Sequence, residues 1–390
     1  MMAGGFQVDW RNSISDIPAA LWEACFPPPL EGRWWYQALH DCGLEDQFLF
    51  FYGLVSCDGE PVGIAPAFRM DVPMQLVLPP ALMPVARLLG KLRPSLLFQR
   101  TLFVGSPCAE EGSLGLRPGT DRAQAMLAVH RAMQRQARQF KAPMLVWKDF
   151  PATYAEDFSR LARAEKLFPL SSFPGTLATL PGPSKSDYFA ALKASRRQQL
   201  KKKLRRSAES VAVDVEVLQH PDAAVMGEIF TLFWQTYEKA NTKFERLTPA
   251  FFDQLAEEPW CHFVILRQRT DGAMLAFMLC FDFGKQIINK FIGIDYARPK
   301  QWLLYFRLWE AALDWALARG AESIQSGQTG YAPKIELGHR LVPLTNYCAH
   351  RNPMIHGIYA LVARTVSWAT LDPDLARHLK AHPADDRLRD

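Results

Sequence analysis

The amino-acid sequence predicts an α/β (α+β) chain of two tandem domains, each a mixed central sheet flanked by helices. Three observations carry that expectation. The 390 residues exceed what one hydrophobic core usually serves. Apolar residues make up 49% and charged residues 22%, ordinary proportions for a chain that buries large cores. A series of helix, helix, hairpin, strand, long helix and strand is read twice along the chain.

The first series opens with a helix at Ala19 to Cys25, stopped by Pro27, Pro28 and Pro29, and a second near Arg33 to Leu39. The aromatic run Phe48 to Val55, the turn Asp58-Gly59 and the return Pro61 to Phe68 form a hairpin. A proline-punctuated stretch from Val72 to Leu96 leads to a strand at Thr101 to Gly105, an amphipathic helix at Asp121 to Phe140 and a strand at Met144 to Trp147. The second series has helices at Val225 to Lys239 and Pro249 to Glu257. Its hairpin runs from His262 to Arg267, turns at Asp271-Gly272 and returns over Ala273 to Phe281. A strand at Gln286 to Gly293, a helix at Trp302 to Arg319 stopped by Gly320, and a strand at Ser323 to Gln325 complete it. The two Asp-Gly turns are 213 positions apart and occupy the same place in each series. Pro181, Gly182, Pro183 and Ser184 mark residues 176 to 190 as the interdomain crossing. The expected division is therefore 1–178, a linker and basic helix at 179–210, a second domain at 211–354 and a helical tail at 355–390.

The net charge of +5 indicates neither a nucleic-acid nor a membrane protein by itself. Its distribution is more informative. Lys193, Arg196, Arg197, Lys201, Lys202, Lys203, Arg205 and Arg206 crowd one segment that holds no acid between 193 and 206. Leu192, Leu200 and Leu204 give that segment a narrow apolar stripe, so it reads as a helix whose like charges repel unless an anion lies near. Phosphates of a cofactor, of tRNA or of a lipid headgroup would serve.

Seven scattered cysteines without a CxxC pair argue against a zinc site and a disulfide framework, and for a reducing, cytoplasmic setting. Met1 to Asp16 has no long apolar stretch and reads against a secretory signal. The apolar stretches Val72 to Leu89 and Ile355 to Ala369 are too short or too broken to span a bilayer. No HExxH or GxSxG pattern occurs, which weakens metalloprotease and serine-hydrolase readings, and no metal site is expected. His262 in an apolar strand, and Trp302, Trp309 and Trp315 along one helix, read as core packing.

Two further passages carry chemistry. In Gly293-Ile-Asp295-Tyr-Ala-Arg298-Pro-Lys300-Gln301-Trp302 a strand ends, a cationic loop follows and a long helix begins; exposed helix N-terminal N–H groups favour phosphate. The loop is neither GxGxxG nor a Walker sequence, so nucleotide hydrolysis is not indicated. The stretch Ser326 to Arg340 gathers Gln328, Tyr331, Lys334, Glu336 and His339, a mixture suited to binding a polar acceptor and handling a proton.

These stretches resemble a known family. The helix Leu303-Leu-Tyr-Phe-Arg-Leu-Trp-Glu-Ala-Ala-Leu-Asp-Trp-Ala-Leu-Ala-Arg-Gly320, the following strand, and the loop Ser326-Gly-Gln-Thr-Gly-Tyr-Ala-Pro-Lys334 are similar to the C-terminal domain of FemAB-like N-acyltransferases of the GNAT (acyl-CoA N-acyltransferase) superfamily, which include the peptidoglycan biosynthesis or recognition proteins. The basic segment resembles that family's cationic segment ahead of its second domain. The resemblance implies two tandem GNAT-like domains and transfer of an acyl or aminoacyl group to an amine acceptor, a small molecule or a cell-wall precursor. It implies no permanently bound cofactor; the donor is acyl-CoA, an acyl-carrier protein or aminoacyl-tRNA. Arg298, Lys300, Gln301 and Trp302 become candidates for holding the donor, and Arg196, Arg197, Lys201 and Gln328 for binding substrate. Tyr331, Lys334, Glu336 and His339 form the candidate catalytic set, with the proton acceptor open among Tyr331, Glu336, His339 and a relayed water. The competing reading is a non-catalytic GNAT pair whose basic helix docks on RNA or an anionic membrane surface; a third reading is peripheral membrane attachment through Ile355 to Ala369 plus the basic helix. DNA is not an expected partner.

Overall fold

In the computed structural model the described residues are 5–73, 97–240, 243, 245–383 and 385, and they build two mixed sheets. The proline-punctuated stretch after the first hairpin lies almost wholly outside them.

One compact unit gathers Met1–Phe173 and Pro343–Leu371. Its strands are β1 (Phe6–Arg11), β2 (Leu49–Cys57), β3 (Glu60–Pro73), β4 (Phe98–Val104), the short β5 (Gly115–Leu116), β6 (Met144–Pro151), β7 (Phe168–Ser171) and β15 (Leu344–His350). Its helices are α1 (Ala19–Cys25), α2 (Arg33–Asp41), α3 (Arg122–Gln139), α4 (Ala155–Glu165), α11 (Pro353–Ala363) and α12 (Trp368–Leu371). The hairpin forms at the Asp-Gly pair because Asp58 and Gly59 both take positive φ, 51° and 87°. Asp121 begins α3 by accepting from the Gln124 N–H. Ala125, Val129, Ala132 and Met133 of that helix pack on Phe51, Leu102, Leu145 and Trp147 of the sheet.

The other unit gathers Pro174–Val342 and Asp372–Leu388. It holds β8 (Gly175–Thr179), α5 (Lys185–Ala191), α6 (Ala194–Ser210), β9 (Val213–Leu218), α7 (Ala223–Lys239), α8 (Pro249–Ala256), β10 (Cys261–Gln268), β11 (Met274–Asp282), β12 (Gln286–Ile294), α9 (Leu304–Ala318), β13 (Ser323–Gln325), α10 (Tyr331–Glu336), β14 (Arg340–Val342) and α13 (Pro373–Ala381). Gly320, at φ 74°, ends α9 as expected. Trp309, Leu313 and Ala316 of α9 enter a core with Val264, Leu275 and Met278.

The duplication extends to the order of the strands. The first sheet runs β1-β2-β3-β4-β6-β15-β7 and the second β9-β10-β11-β12-β13-β8-β14. In each, three antiparallel pairings are followed by one parallel pairing, β4 with β6 or β12 with β13, and then by two antiparallel ones. The sixth strand of each sheet comes from a distant part of the chain. β15 enters the first sheet between β6 and β7, and β8 enters the second between β13 and β14. This arrangement differs from a division at 178 and 354. The stretch at 176–190 is not an open crossing: it holds β8 and α5, the latter begun by a capping box between Ser184 and Asp187.

Candidate active site

All the candidate catalytic, donor-binding and substrate-binding residues read from the sequence fall in the unit containing Pro174–Val342. The parallel strands β12 and β13 pair only over Gln286–Ile288 and Ser323–Gln325, yet β12 continues to Ile294. The ladder ends at Ile288 because β13 stops at Gln325, leaving a fork where β12 runs on alone at the carboxyl ends of the pair, the place where open α/β sheets commonly bind ligands. The register of β12 against β11 shifts at this point, from Cys280–Asn289 to Leu279–Phe291.

The fork is braced by side chains. Asn289 Nδ2 donates to Ser326 Oγ (3.3 Å), and the Cys280 thiol donates to Asn289 Oδ1 (3.3 Å). Ser326 Oγ lies 3.0 Å from His339 Nε2, and His339 Nδ1 lies 3.0 Å from the Lys334 carbonyl. A carbonyl only accepts, so Nδ1 carries the proton and Nε2 accepts from Ser326, giving one consistent direction from thiol to carbonyl. Burial, then the Lys334 charge, push His339 down to about 3, so the ring is neutral. Asn289 and Cys280 are the residues that sequence reasoning missed, because they sit singly in apolar strands.

The stretch from Ser326 to Arg340 is less open than the sequence implies. It folds into the short helix α10, and Tyr331, Lys334 and His339 are all buried. The Tyr331 hydroxyl donates to the Pro174 carbonyl (2.9 Å), and Lys334 Nζ donates to the carbonyls of Gly327 and Gln328 (3.3 and 3.0 Å). These three side chains shape the turn. Glu336 is exposed and paired with Lys203, and Gln328 is partly exposed. Gly338 has φ 90°, and a Cβ there would meet Leu192 Cδ2 at 2.4 Å, so the turn closes tightly on the segment before the basic helix.

The cationic loop leaves β12 through Asp295, whose carboxylate accepts from Arg298 Nε at 2.7 Å. Lys300–Trp302 form a single 3₁₀ turn, and Leu303, at φ 50°, redirects the chain into α9. The long helix therefore starts at Leu304, two residues after Trp302, and no side chain caps it. Lys300 and Gln301 are exposed, while Arg298 lies over the Trp302 ring, 5.8 Å from its centroid.

The basic segment forms α6, with Leu200, Leu204 and Ser207 buried. Leu192 is not on its stripe; it ends α5 and packs beside the core. Ser207 Oγ donates to the Trp302 carbonyl, and Lys203 lies 4.4 Å from the Phe306 ring centroid while pairing with Glu336. Arg197 Nη1 donates to the Phe189 and Ala190 carbonyls, and Lys201 lies over the Phe189 ring. Arg196 stands near enough to Tyr188 to act on its hydroxyl, which donates to the Leu337 carbonyl. One helix thus touches both the loop after β12 and the turn after β13. Ser207 and Lys203 make these two contacts, whereas Arg197 and Lys201 contact α5.

The equivalent fork in the other unit is closed by its own chain. β4 and β6 pair over Thr101–Val104 and Met144–Trp147, and the loop after β4 returns so that the Gly112 N–H donates to the Asp149 carbonyl at 2.7 Å. A Cβ at Gly112 would lie 2.1 Å from the Lys148 carbonyl oxygen, so only glycine fits there.

Residues 194–332 match the acetyltransferase (GNAT) domain family. This part of the chain is a GNAT domain. The matched span begins with the basic helix and ends within α10, so it contains the forked strands and both flanking loops. Solved structures give the fold of the whole. FemX is 11% identical, with 90% of this chain and 100% of that chain covered and a TM-score of 0.56. L-PGS from Bacillus licheniformis is 12% identical over 87% and 98% of the two chains, with a TM-score of 0.52. A tandem GNAT protein from the clavulanic acid biosynthesis pathway is 12% identical over 90% and 99%, with a TM-score of 0.50. The chain has the fold of these structures, one of which is described as a tandem GNAT protein. No curated protein sequence matches it. Among the described residues no group of three His, Cys, Asp or Glu is placed to hold a metal, and no helix is long and apolar enough to cross a membrane.

Proposed function

We propose that this GNAT domain catalyses N-acyl transfer from an acyl-CoA thioester to an amine at the fork between β12 and β13. The observation that carries the reading is the placement of α6 against both the Trp302 carbonyl and Glu336, which puts cations beside the uncapped start of α9 and beside the turn after β13. In this reading Arg298, Lys300, Gln301 and Trp302, with the first N–H groups of α9, hold the donor's phosphates, and Arg196, Arg197 and Lys201 extend that positive field. The acyl arm enters the fork, and Gln328 and Glu336 face the amine. A backbone N–H of β12 beyond Ile288 meets the oxyanion.

The amine lone pair attacks the thioester carbonyl, the C–N bond forms, and the C–S bond breaks as the thiolate leaves, to be protonated by the proton that the amine gave up. Glu336 takes the amine proton, because it is the exposed carboxylate of the set, while Tyr331, Lys334 and His339 are committed to holding the turn. Positioning supplies most of the rate, which suits a site with few reactive side chains. The other fork, closed at Gly112, supports one donor site per chain.

The test follows release of free thiol from a panel of acyl-CoA esters with small amines and amine-bearing cell-wall precursors. Turnover that saturates in both substrates is expected. Absence of turnover together with transfer from aminoacyl-tRNA would replace the thioester donor by an ester. Binding of neither donor would overturn the enzyme reading.

A further inference from the structure

Helix α11 carries the apolar run that the acyl-transfer reading leaves unused. Proline at its first position and the Asn352 side chain, which accepts from the Met354 and Ile355 N–H groups, begin the helix. Its inner face rests on β7 and β15: the His356 ring meets Phe168 at 5.1 Å, and the Tyr359 hydroxyl donates to Gln99 Oε1 at 3.5 Å. The outer face holds Met354, Ile358 and Leu361, one stripe at helical spacing, 72%, 54% and 65% exposed. No other large apolar side chains among the described residues are as exposed. Scattered exposed apolar residues need no explanation, but a stripe of three on one helix does.

The charges at the two ends of this stripe have one sign. From Pro343 to Leu371, the part of this unit that carries the helix, the sequence has no Asp or Glu, and it carries Arg351 and Arg364. Arg351 precedes the helix, Arg364 ends it, and Lys166 stands beside His356; all three are exposed. The charged groups felt by His350 and His356 are Arg351, Lys166 and the other imidazole, with no carboxylate. A second copy of the chain is a poor occupant. Antiparallel pairing of two such helices would bring Arg351 against Arg364, and three side chains bury far less area than a stable dimer needs. An apolar stripe bounded by cations at both ends fits the interface of a bilayer, where the apolar side chains enter the acyl boundary and the cations meet lipid phosphates.

We infer that α11 docks the protein on an anionic membrane surface. This inference is independent of the acyl-transfer reading. The test sediments the full chain with vesicles of phosphatidylcholine alone or mixed with phosphatidylglycerol. Association with the mixed vesicles and much weaker association with the neutral ones is expected. An Ile358→Asp/Leu361→Asp variant should lose about tenfold or more of that association. Because both positions are exposed, its thermal unfolding should be unchanged. Arg351→Glu/Arg364→Glu should remove the preference for anionic lipid. The inference is overturned if the full chain stays in the supernatant with both vesicle types, or if the apolar variant binds as well as the original. It is also overturned if light scattering shows a dimer that the apolar variant abolishes, since a second copy would then cover the stripe.

Discussion

His339 lies between the Lys334 carbonyl and Ser326, and the fold keeps its ring neutral with a pKa of about 3. In the unfolded chain a histidine titrates near ~6.5, so the unfolded state binds the extra proton first as pH falls. The stability tied to the neutral ring is therefore intact above about 6.5 and is lost progressively as pH falls toward 3. His130 in the other unit, lowered by burial to about 4, acts with the same sign. Glu111 acts oppositely: burial, Glu31 and Glu110 raise it to about 7, so its ionisation opposes folding as pH rises from the ordinary carboxylate range. Urea midpoints should fall between pH 6.5 and 4, and His339→Gln should flatten part of that slope; an unchanged slope would mean that the imidazole is not held neutral. Glu336 is a different case, exposed and free of a structural hydrogen-bond role beyond Lys203. Replacing it by Gln should lower kcat by about 10²-fold with little change in unfolding midpoint. Sequence reasoning read these residues as one open polar stretch, and the structure buries three of them. The partners that bury Tyr331 and His339 lie far away in sequence, as with the Pro174 carbonyl 157 positions from Tyr331, and a polar stretch with glycines carries no local sign of such burial.

At the scale of elements, α6 is tied down by few groups. Leu200 and Leu204 are buried on its inner stripe, while Lys201, Lys202, Arg205 and Arg206 face solvent. Leu204→Ala should cost about 2–5 kcal/mol, the usual range for a core leucine, and should weaken donor binding because Lys203 and Ser207 lose their positions. Urea unfolding and donor titration of the variant check both parts; normal binding with lowered stability would separate the helix from the site. Elements with strong local signals were legible. The two hairpins follow from Asp-Gly turns, and α3 and α9 follow from helical spacing and end signals. The basic helix was legible as well, although Leu192 belongs to the preceding segment. The strands β8, β14 and β15 were not. They are short, they pair with partners remote in sequence, and β8 lies in a proline-bounded stretch that reads locally as a loop.

For the whole molecule, the consequence of the duplicated topology is that neither half of the sequence holds a complete sheet. Residues 1–178 include β6 and β7 but lack β15, the strand between them, and residues 179–354 lack β8. Each half expressed alone would expose the strand edges that the missing strand covers, and unpaired edges promote aggregation. Both halves should therefore be poorly soluble alone. A soluble, cooperatively unfolding fragment 1–178 would argue against the strand assignment. The same topology gives two forks of like construction, one closed by the loop at Gly112 and one flanked by cations. Calorimetric titration of the full chain with a non-reactive thioether analogue of acyl-CoA tests that contrast most directly. One site per chain is predicted, abolished by Arg298→Glu/Lys300→Glu. Two sites per chain, or a single site indifferent to those substitutions, would contradict an acyl-transfer centre at the fork between β12 and β13.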